Sequence, residues 1–254
     1  MTSAIRWEDP APVFFDFETQ SAADIKRIGS RRYAAHDSTR VMSLVADIDE
    51  TYHAWIPSHM TDGIFASDAA YKRPSNLPDG SNYHYYLTDS LPSPIADAVR
   101  AGRTFVAHNC FGFDRFIWER FLTPVPAAWA DTMFLARAAG LPGGLDALGN
   151  AVLQQGKDSA HLIVKKLWSA KWQDEQWVYP LLQPGQVEPL VRYNCGDVIL
   201  MRALWEAFAD LRVEADVIAA HVACNDRGVM LDDSLAETIA VLSAARRREA
   251  RNVS

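Results

Sequence analysis

The segment VFFDFET, residues 13–19, decides the fold of this chain. Its aromatic residues and Val13 favour a strand, and two prolines stand just before it. Because side chains alternate between the two faces of a strand, Asp16 and Glu18 share one face. Two carboxylates on one face of an apolar strand repel each other unless a cation lies between them. The segment therefore predicts either a divalent-cation site or a strand end at which both acids reach solvent.

The composition excludes several classes of protein. With 254 residues, 49% hydrophobic and 22% charged, the chain has enough apolar material to fold, which excludes intrinsic disorder. No apolar run approaches the ~18 residues needed to cross a bilayer, so we expect no membrane association. The three cysteines are far apart, which favours reduced thiols in a cytoplasmic protein. A net charge of -7 argues against a passive DNA-coating protein, but not against an enzyme that holds metal ions with carboxylates.

Along the rest of the chain, strand patterns come first and then alternate with helical ones. Asp49 and Glu50 separate two strand patterns and indicate a hairpin. Further elements are expected at 40–48, 52–56 and 104–109 (strands), 95–101 and 114–122 (helices), 128–131 (strand), 132–139, 145–153, 187–211 and 214–226 (helices), with a last helix capped by Asp232 or Asp233. Residues 57–94 are predicted to be a long loop, and residues 154–187 to be irregular. This order favours an α/β fold with a mixed sheet whose opening strands are antiparallel.

Other acids lie where such a fold places ligands. Asp114 begins a helix directly after the strand that ends at Asn109, and the helix dipole favours a negative group there. A plain helix cap is the alternative for Asp114. Tyr193 and Asp197 are four residues apart in a helical stretch and so share one face. Asp131 ends a strand, where it could support the site or simply cap a helix.

Together these segments resemble the DEDD exonuclease superfamily, whose fold is ribonuclease-H-like. The DxE motif matches Asp16 and Glu18, the second motif matches AHNCFGFD at residues 107–114, and the third, YxxxD, matches YNCGD at residues 193–197. The second motif has one residue more between its Asn and Asp than the commonest pattern. One branch of the superfamily has His five residues before the last Asp, but Arg192 occupies that position here. The chain therefore resembles the tyrosine branch.

A narrower resemblance covers most of the chain. Four segments are similar to the N-terminal proofreading exonuclease of phage-type family A DNA polymerases: residues 16–48, 131–148, 156–171 and 225–232. The resemblance implies an exonuclease domain over residues 1–212. It also implies that residues 213–254 are a helical segment from the start of a polymerase domain, which a longer natural chain would continue.

The resemblance also implies an activity and a site. The expected reaction is hydrolysis of the terminal phosphodiester at the 3′ end of single-stranded or frayed DNA, which releases nucleoside 5′-monophosphates. Two Mg²⁺ or Mn²⁺ ions would be held by Asp16, Glu18, Asp114 and Asp197, with Tyr193 orienting the attacking water. The implied substrate contacts are Thr19, His108, Asn109 and Phe113. The implied partners are a DNA 3′ end and a polymerase domain, and the implied location is the cytoplasm of a bacterial or phage-infected cell.

Alternatives remain open from the sequence alone. The chain could be a free-standing nuclease that trims RNA or repair intermediates, or a non-catalytic module that docks DNA or a polymerase. A structural role for His108 is favoured over contact with a substrate. Alternation along the strand directs Phe17 away from Asp16 and Glu18 and into the core. Basic residues that could contact phosphate or simply lie on a solvated surface are Arg31, Arg32, Lys165 and Lys166. Three tryptophans are expected to anchor a loop rather than to form a stacking platform: Trp168, Trp172 and Trp177.

Overall fold

A computed structural model describes residues 4–5, 11–61, 83–156, 167–211, 215–228 and 232–252. The strands of this part are β1 (Ala4–Ile5), β2 (Val13–Gln20), β3 (Arg40–Ile48), β4 (Thr51–Ile56), β5 (Tyr83–Leu87), β6 (Thr104–Ala107), β7 (Ala128–Asp131), β8 (Lys171–Gln173) and β9 (Gln176–Val178). The helices are α1 (Ile25–Ile28), α2 (Ser30–Ala35), α3 (Ser93–Arg100), α4 (Asp114–Phe121), α5 (Thr132–Ala138), α6 (Leu145–Leu153), α7 (Pro184–Ala207), α8 (Ala215–Arg227) and α9 (Asp233–Asn252).

Within the described ranges, seven strands form one mixed sheet in the order β1-β7-β6-β2-β3-β4-β5. The opening strands β2, β3 and β4 are antiparallel neighbours, whereas β6 and β7 continue the sheet in parallel on the other side of β2. Helices flank this sheet. The expected α/β class, with antiparallel opening strands and a ribonuclease-H-like order, is confirmed, as is the hairpin at Asp49 and Glu50.

Two expectations about irregular segments are wrong. Strand β5 lies inside the segment predicted as a long loop and pairs in parallel with β4, while residues 62–82 of that segment lie outside the described residues. The segment predicted as irregular contains the β8–β9 hairpin, and α7 begins at Pro184 rather than at Val187. In both cases the strands are short, and the turn-forming residues of the same segments favoured a loop.

One face of β2 packs into an aromatic core. The ring of Phe15 lies 5.3 Å from that of Trp118 on α4 and 5.7 Å from that of Phe105 on β6, measured between ring centroids. Phe17 lies 5.8 Å from Trp118 and is buried, which confirms its expected core position. Because Phe15 and Phe17 occupy this face, Asp16 and Glu18 are directed to the opposite face.

Helix α7 covers that opposite face. It packs against both β2 and β3, and the ring of Phe14 meets that of Trp205 at 6.1 Å. Buried Asn194 on the helix donates a hydrogen bond to the hydroxyl of Ser43 on β3 at 3.0 Å. The side chain of Gln183 caps the first turn in a capping box with Gln186. These contacts fix the position of the helix over the strand that carries the two acids.

The chain divides into two compact units, residues 1–219 and residues 220–254. The first holds the sheet and its helices, and the second holds the end of α8 and all of α9. The helical character expected for the C-terminal segment is confirmed over 215–227 and 233–252, with Asp232 accepting the N–H of Leu235 at the start of α9. Its relation to a polymerase domain stays a prediction. Among the described helices, none is both long and apolar enough to cross a membrane.

The aromatic core generates the first testable prediction. Phe105→Ala should lower the free energy of unfolding by about 3–5 kcal/mol, because Phe105 is fully buried and its ring meets those of Phe15 and Trp118. Urea denaturation followed by tryptophan fluorescence measures the change. Val125→Ala, at a position that is 44% exposed, serves as the control and should change stability by less than about 0.5 kcal/mol. Equal small effects of both substitutions would show that these rings do not form the core.

Candidate functional site

Three carboxylates from two distant parts of the sequence meet between β2 and α7. One ligand atom each from Asp16, Glu18 and Asp197 lies within 4.8 Å of the other two. Asp197 is only 4% exposed, and the two acids of β2 are partly exposed. Carboxylate oxygens at this separation repel one another strongly when ionised, and a divalent cation between them removes that repulsion. The group can therefore hold a metal ion.

The relative direction of β2 and α7 explains why these residues meet. Phe14, at the start of the strand, packs against Trp205, eight residues after Asp197 on the helix. The helix and the strand therefore run in opposite directions, so that Glu18 lies nearer to Asp197 along the helix than Phe14 does. Tyr193 lies one turn before Asp197, on the same face of α7 and buried. The tyrosine thus lies towards the end of β2 at which the acids stand.

Asp114 reaches the same place from the other face of the sheet. The ladder between β2 and β6 covers Val13 and Phe14, and the backbone of Phe17 bonds elsewhere. The carboxylate of Asp114, at the first residue of α4, accepts the backbone N–H of Phe17. Burial raises the pKa of the Asp114 carboxyl well above its usual range, and the negative charge of Asp16 raises it further. The charges of Asp114 and Asp16 are thus close enough to interact, but Asp114 is not among the three described acids that lie within 4.8 Å of one another, and its role as a metal ligand stays a prediction.

Asp131 holds the loop that leads into Asp114. One carboxylate oxygen accepts the N–H groups of Asn109 and Met133 at 3.0 and 2.8 Å, and the other accepts the N–H of Phe111 at 3.1 Å. Burial raises the pKa of Asp131 to about 6, although these donors oppose the shift. Of the two roles considered from the sequence, support of the site and capping of a helix, Asp131 performs the capping of α5 and also fixes the loop before α4.

A tyrosine that the sequence analysis did not single out lies at the edge of the acids. The hydroxyl groups of Tyr33 and Thr19 are 2.9 Å apart, and the ring of Tyr33 lies 6.0 Å from that of Phe113. Burial raises the pKa of the Tyr33 hydroxyl, and the nearby charge of Glu18 raises it further. The sequence carries no spacing signal for Tyr33, because α2 brings it to the site through tertiary packing alone. Thr19 and Phe113, both predicted substrate contacts, are thereby joined in one cluster.

The other predicted substrate contacts are held by protein groups. Both ring nitrogens of His108 lie 2.9 Å from a protein oxygen, one from the hydroxyl of Thr132 and the other from the carbonyl of Gly143. Asn109 adopts a left-handed backbone with φ of 69°, and its side chain lies over Gly112, where a Cβ atom would collide with it. These contacts suit structural positions, and contact of either residue with a substrate stays a prediction.

The structure also places several of the remaining candidates. Arg31 and Arg32 are exposed on α2, and the guanidinium of Arg31 lies 4.6 Å from the ring centroid of Phe116. Lys165 and Lys166 lie outside the described residues. Trp168 is 43% exposed and Trp172 is 59% exposed, so the expectation that these tryptophans are core anchors of a loop is wrong for both.

Comparison with known proteins adds little to this geometry. No known protein-family profile matches the chain, and no curated protein matches its sequence. A solved structure described as the apo form of a nuclease is similar over 84% of this chain and 81% of that one, with 16% identical residues and a TM-score of 0.45. A similarity of this size carries no argument about activity.

The role of Asp131 generates a second prediction. Asp131→Asn replaces one accepting oxygen with an N–H₂ group that faces a backbone donor, so the variant should lose about 1–3 kcal/mol of unfolding free energy. Chemical denaturation measures this loss. Asp97→Asn, the same change at an exposed carboxylate on α3, is the matched control and should be nearly neutral. Unchanged stability in Asp131→Asn would contradict the role of this carboxylate in fixing the loop.

Proposed function

We propose that the chain is a metal-dependent 3′–5′ exonuclease that acts on single-stranded or frayed DNA 3′ ends. The observation that carries the proposal is the convergence of Asp16, Glu18 and Asp197 within 4.8 Å, and the charge of Asp114 interacts with that of Asp16. Such a group has little structural value by itself, because gathering like charges in a partly buried place costs free energy. A divalent cation bound between the carboxylates offsets this cost and so accounts for the arrangement.

The donor set suits Mg²⁺ or Mn²⁺. Both are hard cations that prefer carboxylate oxygens, and four carboxylates have the charge to hold two divalent ions. Asp16, Glu18, Asp114 and Asp197 would hold them. Bound there, two such ions supply activation of a water at neutral pH and stabilisation of the charge that develops on the leaving oxygen.

The proposed reaction removes the terminal nucleotide by hydrolysis. A water oxygen bonds to the phosphorus of the terminal phosphodiester, and the bond from that phosphorus to the 3′ oxygen breaks. The products are a strand shortened by one residue with a free 3′ hydroxyl, and a nucleoside 5′-monophosphate. The hydroxyl of Tyr193 would orient the water by a hydrogen bond. A tyrosine hydroxyl can both donate and accept a hydrogen bond, which suits the orientation of a water molecule.

The edge of the site suits a terminal nucleotide of any sequence. Phe113 and Tyr33 form a contiguous aromatic pair next to Thr19, and aromatic rings stack on every base without reading its edges. An enzyme that removes any nucleotide from a 3′ end requires this tolerance. We propose more specifically that the chain is the proofreading domain of a family A DNA polymerase, because the sequence resembles that group at residues 16–48, 131–148, 156–171 and 225–232. Degradation of matched single-stranded DNA and RNA, side by side, separates it from an RNA-trimming nuclease.

The four carboxylates generate a third prediction. Asp16→Asn and Asp197→Asn should each lower kcat on 5′-labelled single-stranded DNA by about three orders of magnitude or more, because each removes a ligand for cations that supply several kcal/mol of transition-state stabilisation. Ladders of shortened products in Mg²⁺, and their loss in EDTA, measure the activity. Asp97→Asn should retain the activity of the unaltered chain. If Asp197→Asn kept most of its Mg²⁺-dependent turnover, the site assignment would be wrong.

Tyr193 generates a fourth prediction. Tyr193→Phe keeps the buried ring and removes only the hydroxyl, so the fold should persist while the single-turnover rate falls by up to about a hundredfold. Because orientation of water does not depend on ionisation of the phenol, the dependence of the rate on pH should keep its shape. A profile that loses an ionisation in the variant would instead indicate that Tyr193 removes a proton.

A further inference from the structure

The β8–β9 hairpin presents an exposed pair of tryptophans. Trp172 and Trp177 are directly opposite each other across the hairpin, with ring centroids 4.9 Å apart in a T-shaped arrangement. A tight turn closes the hairpin through Asp174 and Glu175, both at positive φ. The pair of rings stabilises the hairpin. This structural role accounts for the position of Trp177, whose ring is half-buried and also lies 5.7 Å from that of His36. It does not explain why Trp172 remains 59% exposed.

The hairpin is attached to the strand that carries the two acids. The N–H of Ser21, the first residue after β2, donates to the carbonyl of Trp168 at 2.8 Å, and the N–H of Ala170 donates back to the carbonyl of Ser21 at 3.4 Å. Ser21 stands only three residues after Glu18. The hairpin begins immediately after Ala170, so it lies beside the end of β2 at which the carboxylates are gathered.

Helix α2 and the turn that follows it connect the carboxylates with the tryptophans. At one end Tyr33 bonds Thr19, and three residues later His36 contacts Trp177. Thr19, next to Glu18, is therefore linked to Trp172 through Tyr33, His36 and Trp177, and the step from Tyr33 to His36 is a backbone turn. Contiguous exposed apolar surface is a marker of ligand-binding and interaction sites.

The charge of this region is opposite to that of the chain as a whole. Residues 24–40 carry five basic residues and two acidic ones, although the net charge of the chain is -7. Four of the basic side chains are exposed on α1 and α2: Lys26, Arg27, Arg31 and Arg32. The hairpin turn itself is acidic, so the positive charge lies on the helices and the exposed ring lies on the hairpin.

We propose that the hairpin and helices α1 and α2 form the path of the unpaired strand that leads to the 3′ terminal phosphodiester. This inference rests on the proposed nuclease function. Trp172 stacks on a base of this strand, and the exposed basic side chains of α1 and α2 contact its phosphates. Stacking accepts any base, and phosphate contacts carry no sequence information, so both suit a single strand of arbitrary sequence.

The test separates stacking from apolar packing at one position. Trp172→Leu keeps an apolar side chain but removes the aromatic face, whereas the matched variant Trp172→Phe keeps an aromatic face. Fluorescence anisotropy in EDTA gives the affinity for a labelled oligothymidylate of about twelve nucleotides, and hydrolysis in Mg²⁺ compares that strand with a dinucleotide. Trp172→Leu should weaken binding of the long strand about tenfold, the size expected for one base that no longer stacks, while Trp172→Phe binds nearly as the unaltered chain does.

The effect should depend on the length of the substrate. Hydrolysis of the dinucleotide should be unchanged in Trp172→Leu, because a dinucleotide occupies only the terminal site, while kcat/KM for the long strand should fall with the affinity.

Replacing Lys26 and Arg27 together by Ala should also flatten the dependence of affinity on salt, by about 0.7 in log–log slope for each phosphate that these side chains neutralise.

The outcomes distinguish this inference from the proposed function. Equal affinities of the unaltered chain and Trp172→Leu for the long strand would overturn the inference. They would indicate that the exposed ring of the hairpin binds another protein instead. Failure of the unaltered chain to bind the long strand overturns it as well. If the unaltered chain binds the strand through Trp172 but does not hydrolyse it in Mg²⁺ or Mn²⁺, the path stands and the proposed nuclease function fails.

Discussion

Repulsion among carboxylates that the fold brings together is the constraint on which the structure of the site depends. Asp16, Glu18 and Asp197 come from two elements nearly 180 residues apart and meet within 4.8 Å. Asp114, almost fully buried, adds a fourth carboxyl group that interacts with Asp16, and burial together with that neighbouring charge raises its pKa well above the usual range. A protein folds around such a group only if the remaining packing supplies more free energy than the repulsion costs.

The rest of the unit that contains the sheet supplies that packing. The odd-numbered side chains of β2 are fixed in the aromatic core with Trp118, so the even-numbered acids have a single direction in which to point. Helix α7 is held over them through Trp205 at one end of the contact and through the bond from Asn194 to β3. On the other face, Asp131 fixes the loop before α4. The acids are thus positioned by apolar contacts and hydrogen bonds of the elements that carry them.

Much of this arrangement could be predicted from the sequence because it follows from short-range periodicity. Alternation along residues 13–19 indicated the shared face of Asp16 and Glu18, and helical spacing joined Tyr193 to Asp197. Tyr33 was missed because only tertiary packing brings α2 to Thr19. The hairpin around Trp172 was missed because its strands are only three residues long, too short for a periodic signal.

The most direct test of the account is a calorimetric titration of the chain with Mn²⁺, without any nucleic acid. The account predicts saturable binding at the carboxylates, and loss of that binding in Asp197→Asn while Asp97→Asn binds as the unaltered chain does. Absence of binding at millimolar Mn²⁺, or equal binding by the unaltered chain and Asp197→Asn, would contradict it. In that case the acids would be gathered for a reason other than a cation, and the proposed chemistry would have no basis.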